Sequence, residues 1–316
     1  MLMPNFWNEK GLLSACLIPA SWIVASISRH RQKMRLPIPV PVPVICVGNL
    51  TVGGAGKTPV ALDIGSRLQA RGVCSHFLTR GYKGRLKGPV KVDMKLHTHE
   101  DVGDEPLILA RYSPCFVSTD RLAGARAAAA YGAQVIVMDD GFQNPSIQKT
   151  LSLVVVDGGY GFGNCRVIPA GPLREPIKDG LMRADAIISI GPPFLEIDTE
   201  KPVLRAKIQP VCGDKFAGKR VIAFAGIGRP GKFFESLRKV GAEVISTHSF
   251  PDHHPYSARE IVTILAKKTR DEDLIVTTEK DMVRLPPMAL KSVIPLPVEM
   301  RWEKEELIEA LLDKVT

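Results

Sequence analysis

Disulfide and zinc chemistry are the first things this chain lacks. Its six cysteines (Cys16, Cys46, Cys74, Cys115, Cys165 and Cys212) are scattered and form no C-x-x-C pair or zinc-finger spacing. They read as reduced core or surface thiols of a cytosolic protein. Internal repeats and long low-complexity segments are absent too. Acidic residues are in deficit, with Asp+Glu 33 against Lys+Arg 42 and a formal net charge of +9. Such an excess points to nucleic acid, anionic lipid or a phosphorylated substrate. No RNA-binding signature or basic repeat accompanies it, so no nucleic-acid partner is expected. Long apolar runs are scarce. Gly11 to Ile27 is apolar apart from three serines, at the lower limit of about 17 residues for a spanning helix, and Pro19 is expected to kink it. A signal peptide would need a small-residue cleavage site and a following mature domain. Instead the basic flank Arg29, His30, Arg31, Lys33 and Arg35 and a proline-alternating tether, Leu36 to Pro43, lead into a nucleotide-type strand. The segment is read as an interfacial helix held on an anionic leaflet, in preference to a span or a docked core helix.

What is present is a globular profile: 316 residues, 45% hydrophobic and 24% charged, long enough for two domains. The most informative stretch is Val47 to Pro59. An apolar run, Val42 to Val47, is followed by Gly48-Asn49-Leu50-Thr51-Val52-Gly53-Gly54-Ala55-Gly56-Lys57-Thr58-Pro59. A strand, a glycine-rich turn and a helix start in this order make a phosphate cradle, with backbone N–H groups and the helix dipole facing an anion. Lys57 can reach β/γ-phosphates and Thr58 can put its hydroxyl on Mg²⁺. Thr51 stands where G-x-x-x-x-G-K-[ST] has its first glycine.

Helix Pro59–Arg71, strand Cys74–Thr79, short helix Pro106–Arg111, strand Cys115–Ser118, helix Ala123–Tyr131 and strands Val135–Met138, Leu151–Val156 and Ala186–Ile190 follow. Alternation of this kind predicts an α/β fold with a mainly parallel sheet and helices on both faces. Pro202 and Pro210 are read as an interruption. A second series then runs strand Val221–Ala225, helix Lys232–Val240, strand Val244–Thr247, helix Ala258–Lys267 and strand Leu274–Thr277, and Glu303–Leu312 closes the chain as an amphipathic helix.

A second chemical site is the strand ending Asp139-Asp140-Gly141-Phe142-Gln143, the expected metal-side partner of a phosphate loop. Gly103-Asp104-Glu105-Pro106, Gly171-Pro172-Leu173-Arg174-Glu175 and Asp252-His253-His254 are weaker alone. Gly226-Ile227-Gly228-Arg229-Pro230-Gly231 fits a dinucleotide fingerprint after a strand. The acid such a site needs at the end of the next strand is missing, since Glu243 lies at its start. That reading is set aside.

Taken in order with Arg80-Gly81-Tyr82, Asp120-Arg121 and Thr278-Glu279-Lys280-Asp281, these motifs make the chain resemble the tetraacyldisaccharide 4'-kinases, the lipid A 4'-kinases of Gram-negative bacteria. The resemblance runs over nearly the whole chain. It implies an atypical, P-loop NTPase-like kinase, peripheral (monotopic) on the cytoplasmic face of the inner membrane. Such a kinase transfers the ATP γ-phosphate to the 4'-hydroxyl of a tetraacylated glucosamine disaccharide 1-phosphate. The implied division is a membrane-associated helix and basic flank at 1–35, a P-loop kinase domain at 36–205 and a smaller α/β domain at 206–316 closing over the nucleotide cleft. Carried over residue by residue, Lys57 is catalytic, and Thr51, Gly53, Gly54, Ala55, Gly56, Lys57 and Thr58 cradle ATP. Thr58, Asp139, Asp140 and Glu175 surround Mg²⁺. Asp104 is the base for the sugar hydroxyl, assisted by His253 (rather than His254), and Arg80, Arg121 and Arg174 meet phosphate charge. Asn144 departs from the family, where relatives often have His after Asp-Asp-Gly-Phe-Gln. Two other readings are a P-loop ATPase for metal insertion or protein assembly at the membrane, and a nucleotide-binding regulator without catalysis. Glu279-Lys280-Asp281 lacks the spacer of a guanine-specific Lys-x-Asp turn, which disfavours a GTPase.

Overall fold

The computed structural model describes residues 4–192, 199–211 and 213–316; Cys212 lies outside them. The other five cysteines are free, Cys46 and Cys115 buried and Cys16, Cys74 and Cys165 exposed. Among the described residues the strands form two sheets. The larger has nine strands. They are β1 (Val44–Gly48), β2 (Ser75–Thr79), β3 (Val90–Lys91), β4 (Cys115–Val117), β5 (Val135–Asp139), β6 (Leu151–Asp157), β7 (Ala186–Ile190), β8 (Val203–Pro210) and the late β13 (Val298–Trp302). Their order is β13-β8-β7-β6-β1-β5-β2-β4-β3. The inner seven pair in parallel, and only the two edge pairs, β13 on β8 and β3 on β4, are antiparallel. The central strands are buried along their whole length, as a sheet covered on both faces demands.

One face packs against helix Lys57–Ala70, which buries Val60, Ala61, Ile64 and Leu68 in a core shared with Trp302, Ile308, Leu311 and Leu312. The other carries Val44, Leu78, Ile136, Phe142, Val154 and Leu181 beneath the N-terminal helix. The smaller sheet, β10-β9-β11-β12, comprises β9 (Arg220–Ala225), β10 (Glu243–Ser249), β11 (Leu274–Thr278) and β12 (Val293–Leu296). It too is parallel, with its own cores around Phe234 and Leu237 on one side and Phe224 and Ile261 on the other.

Three expectations change. The region read as interrupted by Pro202 and Pro210 is strand β8, whose residues alternate exposed and buried between the two prolines. The second unit is narrower than 206–316. The small sheet spans 220–296, after which β13 and helix Glu305–Leu312 return to the first sheet. Arg67 and Arg71, on the P-loop helix, pair with Glu309 and tie that return in place. The third change is Pro19, which does not kink a helix. It lies in the first turn of helix Ile18–Met34, after a separate short helix, Leu12–Cys16, where its missing N–H costs nothing.

Ser14 and Ser21, two of the three serines in the apolar N-terminal run, are buried and explain its docking. Ser14 Oγ donates to Ala170 O at 2.6 Å and Ser21 Oγ to Val167 O at 2.7 Å. The opposite face leaves Leu12, Trp22, Ile23 and Ile27 exposed. The helix is thus docked on its own chain along one side and apolar toward solvent along the other. No helix of the described residues is long and apolar enough to cross a membrane.

Candidate active site

The glycine-rich loop leaves β1 and enters helix Lys57–Ala70 at Gly56, whose φ of +90° suits only glycine without strain. Added bulk there would meet Ile190 Cδ1 at 2.6 Å. Gly53 also has positive φ, and Gly54 has open space around it. Lys57 and Thr58 are therefore the first two helical residues, two positions earlier than the predicted helix start at Pro59. Thr51 is buried and bridges Leu173. Val52 N donates to Pro172 O at 2.8 Å and Arg174 N to Leu50 O at 2.7 Å, so the Gly171–Glu175 loop braces the phosphate loop through its backbone.

Behind the loop the acidic turn closes. Thr58 Oγ1 donates to Asp139 Oδ2 at 3.0 Å, while Asp139 Oδ1 is buried without a hydrogen-bond partner among the described residues. Burial, reinforced by the charge of Glu105, pushes the Asp139 carboxyl up to about 7. Asp140 takes a left-handed φ of 53°. Its carboxylate meets Arg174 Nη1 at 2.9 Å and Lys57 Nζ at 3.7 Å. Burial alone would raise it, but Lys57 and Arg174 together hold it below the ordinary carboxylate range. Glu175 is buried, accepts from Gln143 Nε2 at 3.1 Å and pairs with Arg183 at 2.6 Å. The turn can approach β1 this closely because residue 48 is glycine: a Cβ there would lie 2.3 Å from Phe142 Cβ.

Asp104 opens the short helix Asp104–Leu109, two residues before the predicted start, after Gly103 at φ +91°. Its Oδ2 lies 2.7 Å from His253 Nδ1, across the gap between the two sheets. Arg284 Nε reaches the same oxygen at 3.3 Å. Burial would raise the Asp104 carboxyl; the His253 hydrogen bond and the charges of Arg284, His253 and Lys280 outweigh it and hold the group below its usual value. His253 sits at a left-handed φ of 61°, and Lys280 Nζ lies 3.2 Å from its Nε2. His254 points elsewhere, to Glu260 at 2.9 Å. Of the two histidines, His253 is the one in contact with Asp104.

The arginines divide. Arg174 is committed to Asp140 and Gln143. Arg121 is buried, donates to Ser118 O and leaves its Nε unpartnered among the described residues. Burial draws it down to about 10. Arg80 is exposed and makes no ion pair among the described residues. No group of three or more His, Cys, Asp and Glu that could hold a metal occurs there either. Of the expected metal set, Thr58 and Asp139 are in direct contact, while Asp140 and Glu175 are paired with cations, Asp140 with Arg174 and Lys57 and Glu175 with Arg183.

Several site residues were not foreseen in these roles. Asn49 accepts from Lys57 Nζ at 3.3 Å, and Gln143 Nε2 donates to Asn49 O at 2.8 Å. Lys280 and Arg284 flank the Asp104–His253 pair. Lys280 lies within the Thr278–Asp281 motif, whereas Arg284, three residues beyond it, had no sequence signal. Gly226–Gly231, set aside as a dinucleotide site but left open as a turn that approaches a nucleotide or the other domain, faces the other sheet: Arg229 pairs with Asp157 at 2.9 Å and Lys232, just beyond the turn, with the same carboxylate at 3.0 Å.

A phosphate loop at the carboxyl edge of a parallel sheet, a Thr–Asp pair behind it and a carboxylate–imidazole pair across a second unit define a P-loop phosphotransferase. The comparisons narrow the class. The family model for tetraacyldisaccharide-1-P 4'-kinase matches residues 13–316, and the chain belongs to that family. The tetraacyldisaccharide 4'-kinase of Rhodospirillum rubrum is 48% identical, covering 100% of this chain and 98% of the relative. That of Rhodospirillum centenum is 50% identical over 99% and 96%. The solved Aquifex aeolicus LpxK, crystallised with ATP, superposes with a TM-score of 0.81 at 29% identity, covering 96% of this chain and 99% of that one. The reading as a metal-insertion or assembly ATPase is not favoured.

Proposed function

We propose that this chain transfers the γ-phosphoryl group of ATP to the 4'-hydroxyl of tetraacyldisaccharide 1-phosphate. The observation that carries the reading is the Asp104–His253 contact at 2.7 Å, which joins the P-loop unit to the small sheet. Phosphoryl transfer needs in-line positioning and neutralisation of the equatorial oxygens more than covalent catalysis. The backbone of residues 51–58 cradles the β- and γ-phosphates. Lys57, drawn toward Asn49 and Asp140, delivers its charge to the transferring group. Arg121 has a buried, unsatisfied donor, which suits an incoming phosphate oxygen, and Arg80 is free to fold over from the rim.

Asp104, kept ionised, accepts the 4'-hydroxyl proton as the sugar oxygen bonds to the γ-phosphorus and the bond to the ADP oxygen breaks. His253 orients that carboxylate and stabilises it once protonated. The residues present fit Mg²⁺: the orphaned Asp139 Oδ1 and the Thr58 hydroxyl are hard oxygen donors of the kind that ion takes. Bound there, the ion would neutralise charge on the β- and γ-phosphates. Asp140 and Glu175 then hold Arg174, Lys57, Gln143 and Arg183 in register around it. The small sheet closes over the cleft through Arg229, Lys232 and Arg284, excluding water from the γ-phosphate.

The acceptor is amphiphilic, so the chain works at the cytoplasmic face of the inner membrane. The exposed Leu12, Trp22, Ile23 and Ile27 enter the bilayer surface beside the basic flank. ATP turnover by the purified chain, with and without the lipid disaccharide, tests the reading. Acceptor-dependent ADP release supports it; equal turnover without acceptor returns the chain to the ATPase reading.

A further inference from the structure

A cleft of about 290 Å³ opens on the far side of the acidic turn, where the N-terminal helix ends against the kinase sheet. Its lining includes Gln32, Arg35, Phe142, Asn144, Lys149 and Arg183. Three of these are cations, and the lining contains no carboxylate. Arg183 pairs with Glu175 through Nη2 but leaves its Nε buried and without a hydrogen-bond partner among the described residues. Lys149 Nζ donates to Phe142 O at 2.7 Å and forms no ion pair among the described residues. Burial, with the charge of Arg183, lowers the Lys149 ammonium and outweighs the opposing influence of Cys46 and Glu175. Both side chains are half-buried; Arg183 has one carboxylate partner and Lys149 has none among the described residues.

The surroundings say what kind of anion fits. Met34 and Leu36, which flank Arg35, are 69% and 88% exposed, and Ile38 is 42% exposed. Apolar side chains therefore stand beside a positively charged recess, at the end of the helix that carries Trp22 and Ile27. A free phosphate would use the recess and leave the apolar rim in water. A phosphate ester carrying acyl chains satisfies both. We propose that this cleft binds the phosphate headgroup of an anionic membrane lipid through Arg35, Lys149 and Arg183. The proposal rests on the reading that the chain works at a membrane, and adds a discrete headgroup site to its diffuse attraction.

The site also touches the active site. Arg183 holds Glu175, which accepts from Gln143, and Gln143 in turn donates to Asn49 O in the phosphate loop. Lipid binding in the cleft therefore anchors the membrane-facing end of the same chain of contacts that supports the loop.

The test is titration of the full chain with dihexanoyl phosphatidylglycerol below its micelle concentration, followed by calorimetry. Dihexanoyl phosphatidylcholine and inorganic phosphate are parallel arms. Lys149→Gln keeps a donor for Phe142 O, and Arg35→Gln alters an exposed side chain, so both preserve the fold. The expected result is saturable binding of the anionic lipid, weakened about tenfold in each variant and unchanged in Lys33→Gln on the same helix outside the cleft. Equal weakening in Lys33→Gln would overturn the proposal in favour of diffuse charge. Inorganic phosphate binding as tightly as the lipid would overturn its lipid identity. Vesicle sedimentation separates the two readings: vesicle binding unaffected by Lys149→Gln and Arg35→Gln sinks the cleft alone, whereas no binding of wild type to anionic vesicles sinks the membrane reading too.

Discussion

Arg284 is a large, almost fully buried side chain near the site, 2% exposed, and five contacts meet on its guanidinium. It pairs with Asp281 at 2.7 Å and with Asp104 at 3.3 Å, and it donates to Gly226 O, His254 O and Lys280 O. Arg284→Gln removes the cation and strands two carboxylates, one of them, Asp281, with no exposed surface. Breaking a buried pair from one side costs about 3–5 kcal/mol. That is a large fraction of the roughly 5–15 kcal/mol by which folded domains are stable. The loss has a pH signature. Asp104 is held below its ordinary value partly by Arg284. A depressed carboxyl contributes stability above its unfolded value of about 3.9, and that contribution fades as pH falls through the folded value. Without Arg284, one of the charges that offset burial is gone and the Asp104 carboxyl rises. The variant's deficit should therefore be larger at pH 7 than at pH 4, where the unfolded carboxyl is partly protonated. Urea unfolding of both proteins at the two pH values measures it. A deficit under about 1 kcal/mol at pH 7, or one equal at both pH values, would show that Arg284 does not carry the charge balance of the Asp104–His253 pair.

Three further outcomes follow from the site. Lys57→Ala should lower kcat on the order of a hundredfold or more, since it removes charge from the transferring phosphoryl group; near-normal turnover by a folded variant would remove the P-loop assignment. Asp104→Asn should lose kcat by roughly a hundredfold or more with little change in ATP KM. His253→Ala should resemble it, and the double variant should lose less than the two losses combined if the pair acts as one unit; full additivity in the steady-state rates would separate their roles. With Asp139 pushed up to about 7, protons should compete with Mg²⁺, so the Mg²⁺ concentration for half-maximal rate should fall as pH rises from 6 to 8. Asp139→Asn should abolish that dependence, and an unchanged pH dependence in Asp139→Asn would place the competing proton elsewhere.

Much of this arrangement was legible because backbone chemistry enforces it locally. Gly56-Lys57-Thr58 after an apolar strand permits little else, and the parallel sheet follows from strands alternating with helices. The small parallel sheet was equally readable through β11, by the same alternation. What escaped the sequence depended on long-range pairing. Strand β8 lies between two prolines and is a strand only because β7 and β13 flank it. The return of residues 298–316 depends on Arg67 and Arg71 meeting Glu309, more than two hundred positions away. Within the site, residue types were clear but partners were not. Asp140 was read as a metal ligand from its place at the end of a strand beside the phosphate loop and Glu175 from the family resemblance, and only the fold shows that Arg174, Lys57 and Arg183 pair with them. Ser14 and Ser21 looked like blemishes in an apolar run, yet they bond Ala170 and Val167 and dock the helix.

The most direct measurement is the fate of the phosphate itself. The purified chain, ATP, Mg²⁺ and tetraacyldisaccharide 1-phosphate in detergent micelles are followed by phosphorus NMR, with Asp104→Asn in parallel. The account predicts a new phosphomonoester on the 4'-oxygen of the disaccharide, formed in step with ADP and nearly lost in Asp104→Asn. ADP formed without a phosphorylated acceptor, or a 4'-phosphate made equally well by Asp104→Asn, would contradict it.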